Sequence, residues 1–136
     1  MTDRATLEAL LARVLEGTGP DRELDGDLAE ALQVGGNPWK HDGDGWISVH
    51  GFGCQAAMFT QSLDAALTLV PEGWGWAIST TGDLVPCAYG HSPDRSFWVD
   101  DTKAATPARA VCAFALRARI WIALQISGGK DEPLGN

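Results

Sequence analysis

Cationic side chains are scarce in this chain. Ten Lys and Arg stand against 18 Asp and Glu, a formal net charge of −8. That balance excludes a general electrostatic attraction to DNA, RNA or an anionic membrane surface. A basic protein partner or a local cationic patch stays compatible with it. Cysteine is sparse as well. Cys54, Cys87 and Cys112 are odd in number and widely spaced, which argues against a disulfide framework and fits a reducing cytoplasm. Long apolar runs are missing. The richest, from Ala110 to Leu124, is broken by Arg117 and Arg119, so no membrane span is expected. A secretory leader is not expected either, because the N-terminus turns amphipathic at once. There is no internal repeat and no low-complexity segment. No GxSxG, Walker loop or GxGxxG pattern occurs, so neither a nucleophile elbow nor a phosphate cradle can be read from the residues.

Tryptophan, in contrast, is plentiful, with 6 in 136 residues. It is favoured both in cores and at binding hot spots, so the count does not choose between them. The hydrophobic share of 45% and charged share of 21% are ordinary for a globular protein. The length suits one domain with a substantial core.

The stretch around which the rest is organised is Phe59 to Ile78, FTQSLDAALTLVPEGWGWAI. It reads as a capped helix, a stop and a strand. Thr60 or Ser62 can cap the helix, and Asp64 suits its first turn. Leu63, Ala66, Leu67 and Val70 form the expected buried stripe. Pro71 cannot continue the helix, and Gly73 frees the turn. Trp74, Trp76 and Ile78 then alternate with small residues, which places both tryptophans on one strand face.

Upstream, Leu7, Leu10, Leu11, Val14 and Leu15 predict a helix from Asp3 to Glu16 with Gly17 as its stop. Pro20, Asp21 and Glu23 suit the first turn of a second helix, with Leu24, Leu28, Ala31 and Leu32 as its apolar stripe. Asp21, Glu23, Asp25, Asp27 and Glu30 cover the rest of that helix. They are either a solvated face or an acidic docking surface. Gly35 to Gly53 reads as loop with one short strand near Trp46 to Val49. Downstream, Thr80 to Asp83 reads as a hairpin turn. Leu84 to Tyr89 reads as a strand whose Pro86 suggests an edge or a bulge. Ser96 to Val99 reads as a third strand ended by Asp100 and Asp101. Thr106 and Pro107 open a last helix. That helix is apolar around much of its circumference, so it is largely buried or offers a second face to a partner.

Three blocks carry a family resemblance: GPDRELD at Gly19 to Asp25, FTQSLDAALTLVPEGW at Phe59 to Trp74, and ATPARAVCAFALRAR at Ala105 to Arg119. Together they resemble the phage alpha-beta-alpha sandwich domain family of small phage and prophage proteins. The SLDAALTLVPEGW block is the most specific of them. The resemblance implies an αβα-type sandwich and a phage or prophage origin. It brings no catalytic residues with it. The Gly35 to Gly53 loop and the chain from Ile120 onward look particular to this sequence.

Several constellations invite a chemical reading. His50 with Cys54 and Cys87 with His91 are two pairs, each four apart, that could in principle supply tetrahedral N/S ligands. They lack the tight CxxC spacing of a zinc knuckle, and buried cysteines with surface histidines are the plainer account. His41-Asp42-Gly43-Asp44-Gly45 resembles the start of a calcium loop but lacks the later ligands, so a polar turn suffices. The three cysteines sit in apolar contexts without a local activating motif. Trp74 and Trp76 either pack under helices or form a stacking platform, with Arg109, Arg117 and Arg119 available to phosphate or carboxylate.

The expectation is therefore one α+β domain over 1–126: a helical hairpin over 3–34, then sheet and helices over 45–126, with 127–136 as a flexible tail. An antiparallel sheet of about four strands would be packed with helices, αβα-sandwich-like. The expected function is a non-catalytic phage or prophage accessory protein in the bacterial host cytoplasm, without metal or cofactor. It would bind and modulate a host protein, a defence component among the candidates, through Asp21, Asp25 and Asp27, with Trp121 as a further surface. The alternatives are a protein that sequesters a nucleotide or other small signalling molecule between Trp74, Trp76 and Arg109, and a metal- or cysteine-dependent enzyme. Direct nucleic-acid binding is not expected, and a homo-oligomer is left open.

Overall fold

A computed structural model describes the backbone of residues 3–32, 40–41, 46–49, 52–55 and 57–131, and the side chains of 3–32 and 57–125. The first helix, α1, spans Arg4–Glu16. The Asp3 carboxylate accepts from the Thr6 N–H at 2.9 Å and caps its start. Gly17 closes it, and Leu7, Leu10 and Val14 form its buried stripe. Helix α2 spans Arg22–Leu32. Here the Asp21 carboxylate takes the Leu24 N–H at 3.0 Å, the same capping geometry three residues on.

Between α2 and the central stretch lies a small antiparallel sheet, β1 (Lys40–His41), β2 (Trp46–Val49) and β3 (Phe52–Gln55), in that order. The expected strand is β2, and it gains a partner on each side. Helix α3 is short, Leu63–Leu67, capped by the Ser62 hydroxyl, which accepts from the Ala65 N–H at 3.2 Å. The chain then makes the second antiparallel sheet: β4 (Gly75–Thr80), β5 (Pro86–His91) and β6 (Trp98–Lys103).

Two sequence expectations about this sheet change. Pro86 lies on the central strand, not an edge. It is the first residue of β5, a position where the ladder tolerates a missing N–H. The irregularity in pairing falls later, between Ala88 and Gly90. Asp100 and Asp101 do not end β6 but lie within it. An edge strand leaves such carboxylates in water, so they cost the ladder nothing.

Helix α4, Pro107–Asp131, continues past the expected end at 126. The Thr106 hydroxyl accepts from the Arg109 N–H at 3.1 Å at its start. It is the central beam of an α+β fold: β5 and β6 pack on one side, α1 and α3 on others. Consequently Ala110, Val111, Cys112, Ala113, Phe114, Ala115 and Leu116 are all buried. This accounts for a helix that is apolar around its circumference. Gly90 sets the separation of helix and sheet. A Cβ there would lie 2.0 Å from the Gly75 carbonyl oxygen and 2.8 Å from the Phe114 ring.

Candidate functional site

The acidic residues of α2 divide into separate tasks. Asp25 is fully buried. Its carboxylate accepts from the backbone N–H and the hydroxyl of Thr60, each at 2.9 Å, and from Arg22 Nη1 at 2.6 Å. A docking role for Asp25 is therefore overturned: it ties α2 to the segment before α3. The sequence carried a hint of this, because Asp25 follows Leu24 and precedes Leu28 on the buried side of the helix. Asp21 caps α2. Asp27 pairs with Arg13 of α1 at 2.6 Å. Of the five acids, three are thus a buried carboxylate, a cap and half of an inter-helix ion pair, while Glu23 and Glu30 are exposed.

Arg109 is likewise internal, with 2% of its surface exposed. Its Nε and Nη2 donate to the Gly19 carbonyl at 2.9 and 2.6 Å, and its Nη1 donates to the carbonyls of Val14 and Arg13 at 3.0 and 3.3 Å. The carbonyls of Val14 and Gly19 belong to the end of α1 and the turn after it, where helical partners run out, while the Arg13 carbonyl also accepts from the Gly17 N–H. A guanidinium so engaged cannot anchor a ligand. Arg119 acts in the same manner, donating from Nε to the Leu69 carbonyl at 2.9 Å.

The two tryptophans expected on one face both lie on the α4 side of the sheet but differ in burial. Trp74 precedes β4 and is buried against Phe97, Phe114 and Trp121, edge-on at centroid distances of 6.3, 6.4 and 5.8 Å. Trp121 also stacks on Phe97 at 5.0 Å, so it belongs largely to this internal cluster. Trp76 is in the strand and 48% exposed. The alternation gives the face but not the burial: Trp74 meets α4 side chains, whereas Trp76 lies on the open edge strand.

The metal constellation does not assemble. His50 and the side chain of Cys54 lie outside the described residues. Cys87 and His91 sit at opposite ends of β5, roughly 13 Å apart at 3.3 Å per residue, too far to share one ion. Among the described residues no group of three potential metal ligands occurs. Cys87 is buried with its Sγ 3.4 Å from the Ser79 hydroxyl. Cys112 is buried and donates to the Phe59 carbonyl at 3.3 Å. Burial first, then the nearby Asp25 charge, push its thiol up to about 12, so it is not a ready nucleophile. The calcium-like turn lies outside the described residues apart from the backbone of His41.

What the sequence reading missed is the outer face of the second sheet. Register places Gly75, Ala77 and Ser79 of β4 beside His91, Tyr89 and Cys87 of β5, with Trp98 beside His91. Ala88, Gly90, Val99 and Thr102 point the other way, toward α4, and are buried. Trp98 is 56% exposed and lies against the His91 imidazole at a centroid distance of 4.6 Å. His91 Nδ1 is 2.7 Å from the Ser92 carbonyl, which fixes the ring. Tyr89 is also exposed on this face. At the hairpin tip Leu84 is 80% exposed with φ of 65°, a conformation that disfavours L side chains. Period two in Tyr89 and His91 was visible in the sequence, but which side the helices would cover was not.

A shallow groove of about 560 Å³ also runs between α1 and α2, lined by Asp3, Thr6, Leu10, Arg13, Asp27 and Glu30 among others. Among the described residues no helix is long and apolar enough to cross a membrane. No family model, curated protein or solved structure matches the chain.

Proposed function

We propose that this chain is a non-catalytic accessory protein, of the phage and prophage kind that its three sequence blocks resemble. It binds and modulates a host protein; a defence component falls within that reading. The observation that carries it is the pair of exposed aromatic side chains on the outer face of the second sheet. Tyr89 and Trp98 stand there on either side of His91, 36% and 56% exposed. Exposed aromatic anchors of this kind suit a protein interface. Among the described residues, three groups that chemistry or ligand capture would draw on are committed elsewhere: Cys112 and Cys87 are buried, and Arg109 is spent on backbone carbonyls. This favours protein binding over the sequestering and enzymatic alternatives. It also moves the binding surface from the acidic helix to the sheet.

The test is affinity capture from host lysate with the parent and with a Tyr89→Ala/Trp98→Ala double variant. The double variant should lose the captured partner with an unchanged circular dichroism spectrum. A Glu23→Lys variant, on the exposed side of α2, should retain it. Loss in Glu23→Lys with an unchanged circular dichroism spectrum and retention in the double variant would return the interface to the acidic helix.

A further inference from the structure

The two edges of the second sheet are built differently. Edge strand β6 carries Asp100, Asp101 and Lys103, and its pairing with β5 is interrupted by a bulge. Charges and bulges are the ordinary protection of a sheet edge against another chain. Edge strand β4, Gly75–Thr80, carries neither. Its residues are Gly, Trp, Ala, Ile, Ser and Thr, none charged. Six consecutive pairs with β5 run without irregularity. Among the described residues it has no strand on its other side.

We propose that β4 pairs antiparallel with β4 of a second copy of this chain, joining two three-stranded sheets into one of six strands. Charge selects this edge over β6, and self-complementarity selects the occupant. A chain of net charge −8 repels its own copy over most approaches. The β4 edge brings two uncharged segments together, whereas β6 against β6 would oppose carboxylates. The segment is also self-complementary. A two-fold axis normal to the sheet pairs residues of the same face. Centred on Ala77, it sets Trp76 of each copy opposite Ile78 of the other, an aromatic–β-branched pair on the helix side of the sheet. Trp76, half exposed in the single chain, gains cover by this pairing, and so does Ile78. Both copies then keep α4 on the same side, and the faces carrying Tyr89 and Trp98 become continuous. The two-fold pairing is isologous and closes at two copies.

Sedimentation equilibrium on the full chain tests this. With rising concentration the parent should approach twice its 14.5 kDa mass. Added salt should tighten association, because screening weakens the repulsion between like-charged copies. Trp76→Glu and Ser79→Lys place charge on the edge, and each should hold the protein at monomer mass with unchanged circular dichroism. Hydrogen exchange gives a readout independent of any variant: amides of 75–80 should slow as concentration rises, while those of 98–103 should not. A parent that stays monomeric overturns the proposal. So does a dimer that survives both variants, or one that forms without slowing exchange in 75–80.

Discussion

The Arg109 guanidinium donates twice to the carbonyl of Gly19, 90 residues earlier, through Nε at 2.9 Å and Nη2 at 2.6 Å. The same side chain holds the carbonyls of Val14 and Arg13. One side chain of α4 thereby fixes the end of α1 and the turn that leads to α2.

Arg109→Ala should therefore destabilise the protein by about 2 kcal/mol or more, since the carbonyls of Val14 and Gly19 lose their donor, at about 1–3 kcal/mol for a buried one. Gly17→Ala should produce part of the same loss, because a Cβ there would lie 2.4 Å from Arg109 Nη1. Gly19→Ala, with nothing within 4 Å of its Cβ, is the control. Urea unfolding of the three variants gives the comparison. An Arg109→Ala midpoint equal to the parent's would remove the clamp from the account.

Gly90→Ala should be among the most damaging single-methyl additions. The new carbon would meet a backbone carbonyl at 2.0 Å and the Phe114 ring at 2.8 Å, so strand β4 or helix α4 must move. Overpacking of this kind typically costs about 1–3 kcal/mol. Gly82→Ala in the hairpin meets nothing within 4 Å and should melt near the parent.

Leu69 and Leu67 should separate in a truncation series. Leu69 is fully buried, whereas Leu67 is only partly so. Leu69→Ala should cost about 2–5 kcal/mol through lost contacts and a residual cavity, and Leu67→Ala less. Equal melting temperatures for the two would show that the segment after α3 is misplaced.

The turn at Asp94 predicts an acid dependence. Its carboxylate accepts from the Ser96 N–H at 3.0 Å, the Ser96 hydroxyl at 2.7 Å and the Ser92 hydroxyl at 2.9 Å. These donors, led by the Ser96 N–H, lower its pKa from 3.8 to about 2. A depressed folded value means that the stabilisation is complete above the unfolded value and is lost as pH falls through the folded one. The stability difference between the parent and Asp94→Ala should be constant above about pH 5 and shrink between there and pH 2. A difference independent of pH across that window would exclude the carboxylate as its source.

Much of the fold was legible because its signals are local. Ser62 and Thr106 each cap the helix that follows them, since a short polar side chain reaches the free N–H groups beside it. Leu7, Leu10 and Val14 announced the buried side of α1 by spacing alone. The apolar circumference of α4 likewise pointed to burial. The candidate site was far less legible. Asp25 and Arg109 looked like surface charges because nothing adjacent in sequence pairs Asp25 with Thr60 or Arg109 with Gly19.

By itself, then, the sequence determined the helices, their caps, the antiparallel meander and the α+β class. Each of these follows from periodicity or from hydrogen bonds closed within a few residues. Tertiary structure alone decided that Trp74 is core and Trp76 is exposed, that Leu69 rather than Leu63 is buried, and that Pro86 opens a central strand. It also decided which face of the second sheet α4 covers, leaving Tyr89 and Trp98 outside. Burial depends on which elements arrive from distant parts of the chain. A residue's own pattern fixes its direction along a helix or strand, but not what it will meet there.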